Sequence, residues 1–305
     1  MSDRYEQWDI VSSVGFTALM VAAGRAVETN RDGGLVDDPW AERFVDAAGT
    51  PQRLPTRPEE GWPRTGQDPA VAAEVDAFWS VMTTYQGVRS RYFDAALTAA
   101  TERGIDQVVL LAAGLDSRAV RLSWAAGTTV YEVDQPAVLE FKDEVLAEHG
   151  AQPRCDRRVV GVDLRDDWVS ALRAAGFDPQ RPSVWLAEGL LPFLPAAAEA
   201  DLFAAVDELS APGSTVAVEH FAPVFESSAA HPAIVAFGAP FGMDLRDLAQ
   251  TEPRTGPAER LTGMGWSVEA VPSPDAAAGF GRPLPALGSG IRMNSVLLTA
   301  TKPDQ

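Results

Sequence analysis

Residues 107–121 read QVVLLAAGLDSRAVR, and few folds accommodate that order of residue types. The apolar run 108–113 is too short for a free-standing helix and suits a fully buried strand. Gly114 breaks it. Asp116 and Ser117, both residue types that cap helix N-termini, follow, and 118–123 has helical character. Strand, glycine turn and capped helix form the first unit of a doubly wound sheet, which binds ligands outside the carboxyl ends of its strands. Gly114 lets backbone approach a ligand there, since no Cβ intervenes. The dinucleotide fingerprint GxGxxG is not met, because Asp116 and Ala119 stand where its further glycines would. A pyrophosphate would meet the Asp116 carboxylate, so a neutral or cationic ligand face suits this turn better.

The chain downstream alternates in the same way. Strands are expected at 128–134 (TTVYEVD), 157–163 (RRVVGVD), 183–189 (SVWLAEG), 214–221 (STVAVEHF), 265–271 and 294–301. Helices are expected from Pro136 to about residue 149, over 166–176, 195–210 and 257–263, with 273–290 as a Gly/Pro/Ala-rich loop. This is an α/β chain with helices on both faces of one sheet. The first third differs. Residues 10–30 read as an amphipathic helix, and Asp37-Asp38-Pro39 as the start of a short helix through Ala47. The proline-rich stretch 49–69 is expected to be a loop or a mobile cover, and a long helix runs from Asp68-Pro69 to about Arg103. These helices cannot join the sheet and are expected to lie over its carboxyl edge. The division expected is 1–104, a helical cover and substrate region, and 105–305, the sheet domain.

The formal net charge of −18 argues against nucleic acid and anionic membrane as partners. Cys155 is the single cysteine, which rules out an intrachain disulfide and a thiolate cluster. His149, His220 and His231 lack metal-ligand spacing, so no metal is expected. A polar, acidic N-terminus and the absence of a membrane-length apolar run lead us to expect a cytoplasmic protein.

The acids fall at strand ends: Glu132 and Asp134 after the second strand, Asp163 after the third, Glu188 after the fourth. A carboxylate about twenty residues beyond the glycine turn can accept from both hydroxyls of a ribose. Asp163 can accept from an exocyclic amino group, and Glu188 can offset an amino or sulfonium cation. Glu132 and Asp134 share one face of their strand, one available to the ligand and the other to the turn. Four such acids beside a turn without phosphate chemistry favour a cationic nucleoside.

Together the segments LLAAGLDSR, VYEVDQPAVLEFK, VDLRDDW and WLAEGLLPFLP resemble the S-adenosylmethionine-dependent methyltransferases of the leucine carboxyl methyltransferase type. The N-terminal GFTALMVAAGRAVET, LVDDPWAERFV and VRSRYFD are similar to the actinobacterial, mycobacterial-type branch of that family. The resemblance covers nearly the whole chain, and it rests on the set of motifs rather than on any one. It implies a Rossmann-like methyltransferase fold, a doubly wound, mostly parallel seven-stranded sheet with the last strand antiparallel. It also implies S-adenosyl-L-methionine as cofactor. By the same resemblance Gly114 is the turn against the methionine moiety and Arg89, in VRSRYFD, pairs with the cofactor carboxylate through a bidentate fork. Asp134 takes the ribose, Asp163 and Leu164 take the adenine, and Glu188 lies near the methionine amino end. Arg91 stands beside Arg89 in the same motif and is the alternative to it.

Methyl transfer from a sulfonium is an in-line displacement in which positioning supplies most of the catalysis. A carboxylate acceptor needs no general base, whereas an alcohol or phenol benefits from one. His220 is the candidate base, set against a role as an ordinary loop histidine. The function expected is O-methylation, with a carboxylate as one acceptor type, of a small molecule or peptide. The alternative is a non-catalytic S-adenosylmethionine-binding scaffold. The missing glycines oppose a nicotinamide oxidoreductase.

Overall fold

The computed structural model describes residues 13–221, 231–242, 244, 252–285 and 295–304. Parts of the expected first helix (10–12) and of the expected loop (286–290) lie outside them. Seven strands form one sheet: β1 Gln107–Leu111, β2 Thr129–Asp134, β3 Asp156–Gly161, β4 Ser183–Ala187, β5 Thr215–Phe221, β6 Ser267–Pro272 and β7 Ser295–Thr301. Their order is β3-β2-β1-β4-β5-β7-β6. The first five run parallel, and β7 is antiparallel to both β5 and β6. The order reverses between β1 and β4, so the crevice of a doubly wound sheet opens at their carboxyl ends.

The helices are α1 Ser13–Thr29, α2 Ala41–Ala47, α3 Pro69–Glu102, α4 Arg118–Arg121, α5 Pro136–Glu148, α6 Trp168–Ala174, α7 Ala196–Glu208, α8 Pro232–Gly238, α9 Pro257–Gly263 and α10 Ser273–Gly279. Strand alternation divides the core. Val109, Leu111, Trp185, Val216 and Val218 pack with Trp168 of α6, Phe203 of α7 and Leu261 of α9. Val108, Leu110, Val184, Leu186 and Ala217 face the other way, against Val88, Phe93, Leu97 and Ala100 of α3. The fully buried β1 tolerates Gln107 because its side chain closes two hydrogen bonds with the Asp178 backbone, at 3.0 and 2.8 Å.

The long helix α3 joins two parts of the molecule. Its start is set by Asp68, whose side chain accepts from the Ala70 N–H at 2.8 Å, and by Pro69 in the first turn. At 34 residues it extends about 50 Å at 1.5 Å per residue. Its carboxyl half covers the sheet. Its amino half packs on α1 and α8 in a separate cluster with Phe16, Leu19, Trp62, Trp79 and Phe237. Trp62, from the proline-rich stretch, stacks on Phe237 at 3.8 Å between centroids and donates to the Phe237 carbonyl at 2.9 Å. That stretch is therefore pinned. Gly87 lets α3 approach α1, since a Cβ there would collide with the buried Glu28 side chain.

Several expected bounds move. β1 ends at Leu111 because Ala112 (φ 50°) and Gly114 (φ 46°) turn left-handed, and α4 is a single turn rather than a run to residue 123. α2 begins at Ala41, not Pro39. Asp38 caps it through its side chain, accepting from the N–H groups of Trp40 and Ala41 at 3.2 Å. Part of the expected loop at 273–290 is helix α10, whose start at Ser273-Pro274 supplies a proline suited to a first turn. No described helix is long and apolar enough to cross a membrane.

Candidate cofactor site

The carboxyl ends of β1, β2, β3 and β4 bring the expected residues to one edge. After β1 the chain bends through Ala112 and Gly114. The Gly114 N–H donates to Asp134 Oδ2 at 2.6 Å, which ties the turn to the end of β2. The other Asp134 oxygen accepts from the Gln135 N–H at 2.7 Å. Burial pushes the Asp134 carboxyl above its ordinary range, and the two N–H donors and Lys142 oppose that. Asp163 lies two residues past β3. It accepts from the Gln135 side chain at 3.0 Å and from Arg165 at 2.6 Å. The Arg165 guanidinium holds its carboxyl below the usual value. Gly114, Asp134, Gln135 and Asp163 thus form a continuous hydrogen-bonded row, with half-buried Leu164 next to it.

Glu132 does not belong to that row. It was expected among the edge acids, but its side chain is fully buried and pairs with Lys142 at 2.9 Å and Arg157 at 2.7 Å. It shares a strand face with Asp134 but lies one pleat inward, where a carboxylate is tolerable only when paired.

On the other side of the turn lies a buried network of charges. Arg89, on the sheet-facing side of α3, pairs through Nε with Glu188 at 2.8 Å and through Nη1 with Glu219 at 2.7 Å. Arg118, just past the turn, reaches Asp94 at 2.7 Å, Glu188 at 2.8 Å and also Asp116. Arg121 grips both oxygens of Asp94. Arg25 of α1 pairs with Asp38 at 2.8 Å and donates to the Leu115 carbonyl at 2.7 Å. Four guanidinium groups (Arg25, Arg89, Arg118, Arg121) therefore meet five carboxylates (Asp38, Asp94, Asp116, Glu188, Glu219), an excess of one negative charge. Burial alone would raise Asp116, but the Arg118, Lys142 and Arg121 cations outweigh it and hold that carboxyl at about 2. The anion expected to repel a pyrophosphate here is thus largely offset.

The fork expected of Arg89 is only partly open. Two of its three nitrogens are held by protein carboxylates, and Nη2 makes no hydrogen bond or ion pair among the described residues. Arg91 is exposed, with its guanidinium 4.9 Å from the Phe280 ring centroid, outside the network. His220 sits near the end of β5 and alternates with Glu219, so the two point to opposite faces of the sheet. Burial and Arg254 lower its pKa, which leaves it neutral at pH 7.

The residues fit the nucleoside that the motifs imply. Gly114 takes a left-handed φ of 46° and lies against α1, where a Cβ would stand in ordinary contact with the Ala18 Cβ at 3.7 Å. Each Asp134 oxygen has one backbone donor, leaving acceptor capacity for hydroxyls. Sequence reasoning overlooked Arg118, Asp94, Tyr85, Glu219 and Ser295. Two signals were present: Glu219 is a lone acid inside an apolar strand, and Tyr85 lies one helical turn before Arg89.

The chain is similar to known proteins in sequence and in fold. The model of the leucine carboxyl methyltransferase family matches residues 18–207. A Rhodococcus jostii protein, provisionally named an S-adenosyl-L-methionine-dependent methyltransferase, is 47% identical over 97% of this chain and 98% of its own. One from Saccharopolyspora erythraea, named likewise, is 48% identical over 92% of each chain. A crystal structure from Thermobifida fusca, provisionally named a methyltransferase, shares the fold with a TM-score of 0.54 at 16% identity, covering 97% of both chains.

Proposed function

The chain belongs to the leucine carboxyl methyltransferase family and is an S-adenosylmethionine-dependent methyltransferase, and from that premise we propose that it methylates an oxygen, a carboxylate by preference, of a small molecule or peptide. We assign the ribose to Asp134, the adenine to Asp163 and the Leu164 backbone, the methionine carboxylate to Arg89, and its amino end to Glu188 beside the Gly114 turn. When bound, S-adenosylmethionine supplies a methyl group already activated on a sulfonium. The residues supply position and field. Asp134 orients through its hydroxyl contacts, Arg89 offers its remaining nitrogen, and the net negative network suits a cationic centre.

One observation carries the carboxylate preference. Asp94, Asp116, Glu188 and Glu219 are each committed to a guanidinium in an ion pair, so none of these described carboxylates stands open to an acceptor hydroxyl as a base. An acceptor already ionised at neutral pH requires no base. Its own negative charge would also be drawn toward the sulfonium. His220 is the candidate base if the acceptor is instead a hydroxyl.

We assign residues 1–104 to the cover and acceptor region and 105–305 to the methyltransferase domain, with the carboxyl half of α3 serving both. The placement of Ala18 and Arg25 of α1 against the Gly114 turn supports the cover role. Incubating the protein with labelled S-adenosylmethionine and matched carboxylate and hydroxyl acceptors tests the preference. We expect base-labile ester products, and His220→Ala to keep kcat within about threefold of wild type. Label in ethers only, with a loss of about 100-fold or more in His220→Ala, the scale of a removed general base, would overturn it.

A further inference from the structure

Arg89 has a long side chain that must be held for a single nitrogen to face a ligand. Glu188 takes Nε from one side. Glu219 takes Nη1 from the other, and it is far better anchored than that task alone requires. Glu219 lies in β5 with a fully buried side chain, between the apolar Val218 and the half-buried His220. One of its oxygens accepts from Arg89 Nη1 and from the Gly189 N–H, each at 2.7 Å. The other accepts from the Tyr85 hydroxyl. Because that hydroxyl donates to Glu219, it is free to accept, and Ser295 Oγ donates to it at 2.7 Å. Tyr85 and Ser295 are both buried, and Tyr85 lies one turn before Arg89 on the same face of α3. The row Ser295–Tyr85–Glu219–Arg89 therefore links β7, α3 and β5, and Gly189 ties it to the turn after β4.

A buried carboxylate is costly unless its lone pairs are used, and here both oxygens are satisfied. Two ion pairs on different nitrogens fix the plane of the Arg89 guanidinium and, among the described residues, leave Nη2 as the donor to offer. An apolar isostere at position 219 could fill the space but could not orient the guanidinium. From this we infer that Glu219, backed by Tyr85 and Ser295, is a positioning residue that presents Arg89 Nη2 to the carboxylate of the cofactor's amino-acid moiety. The inference rests on the assignment of Arg89 to that carboxylate.

The test compares two ligands that share adenosine and thioether sulfur but differ in the amino-acid moiety: S-adenosylhomocysteine, which carries it, and 5′-methylthioadenosine, which lacks it. Their affinities are measured by calorimetry for the full chain and its variants, with melting temperatures recorded alongside. Glu219→Gln keeps the shape and removes the charge. It should weaken S-adenosylhomocysteine about tenfold or more and leave 5′-methylthioadenosine within twofold. Tyr85→Phe should shift the same ratio by about threefold in the same direction. Arg89→Ala should abolish the discrimination, and adding Glu219→Gln to it should change the ratio no further. A role confined to stability would lower the melting temperature and leave the ratio at its wild-type value. If Arg89→Ala moves the ratio and Glu219→Gln does not, the positioning role is overturned and the Arg89 assignment stands. If Arg89→Ala itself leaves the ratio unchanged, the assignment fails and the positioning role with it. Should Glu219→Gln not yield folded protein, Tyr85→Phe decides by the same ratio.

Discussion

Asp116 shows how one side chain at this edge links chemistry to stability. It is held by Arg118, and its carboxyl sits at about 2 against an ordinary 3.8. A depressed carboxylate stabilises the fold at pH values above its unfolded pKa, and that contribution is lost as pH falls through the folded value. The window here lies between roughly pH 4 and pH 2, and the shift corresponds to on the order of 2 kcal/mol. Glu219 has the opposite sign. Burial raises its pKa despite Arg89, so its contribution is largest when it is protonated and declines as pH rises through the folded value. Urea unfolding of wild type and Asp116→Asn isolates the first effect. At pH 7 the variant should be the less stable, and the gap should close by about 2 kcal/mol between pH 5 and pH 2. A gap that stays constant over that range would show that Asp116 is not held as described.

At the scale of elements, α1 is the proposed cover of the edge. Its Arg25 holds Asp38, the side chain that caps α2, and the Leu115 carbonyl just past the Gly114 turn. One guanidinium thereby ties α1, α2 and the turn together. Breaking a buried pair of this kind costs about 3–5 kcal/mol because the remaining charge is left unpaired. Arg25→Ala should therefore loosen α1 preferentially, seen as faster hydrogen exchange over residues 13–29 than over the strands. In wild type, S-adenosylhomocysteine should slow exchange in those residues and around Arg89. Exchange in α1 that is indifferent both to Arg25→Ala and to ligand would remove its role as cover. Elements of this kind were legible in the sequence where periodicity was strong. All seven strands, the Pro69 start of α3 and the Pro136 start of α5 followed from residue pattern and caps. The ends were less legible. The left-handed Ala112 carries no glycine to announce it, and α10 lies in an Ala/Gly/Pro-rich segment whose composition also suits a loop. The positions of Asp134, Asp163 and Glu188 near the edge could be read because each closes an apolar run, even where the strand itself ends a residue or two earlier; the buried pairing of Glu132 could not. The partners of Arg89 could not, since Tyr85, Glu219 and Ser295 meet only through the pairing of β5 with β7 beneath α3.

For the whole molecule, the carboxyl edge between β1 and β4, with its row of Gly114, Asp134 and Asp163, is the proposed seat of S-adenosylmethionine. The strand order opens a crevice there, the net negative network lies beside the Gly114 turn, and Arg25 of α1 holds the Leu115 carbonyl just past it. Calorimetric titration of the purified chain with S-adenosylmethionine, S-adenosylhomocysteine and NAD, repeated for Asp134→Ala, tests it most directly. We predict saturable binding of both sulfur nucleosides at micromolar scale and none of NAD. Asp134→Ala should weaken that binding by about 1–3 kcal/mol, the scale of a lost charge-assisted hydrogen bond, with the fold retained. Folded protein that gives no heat with either sulfur nucleoside, or an Asp134→Ala variant that binds as tightly as wild type, would contradict it.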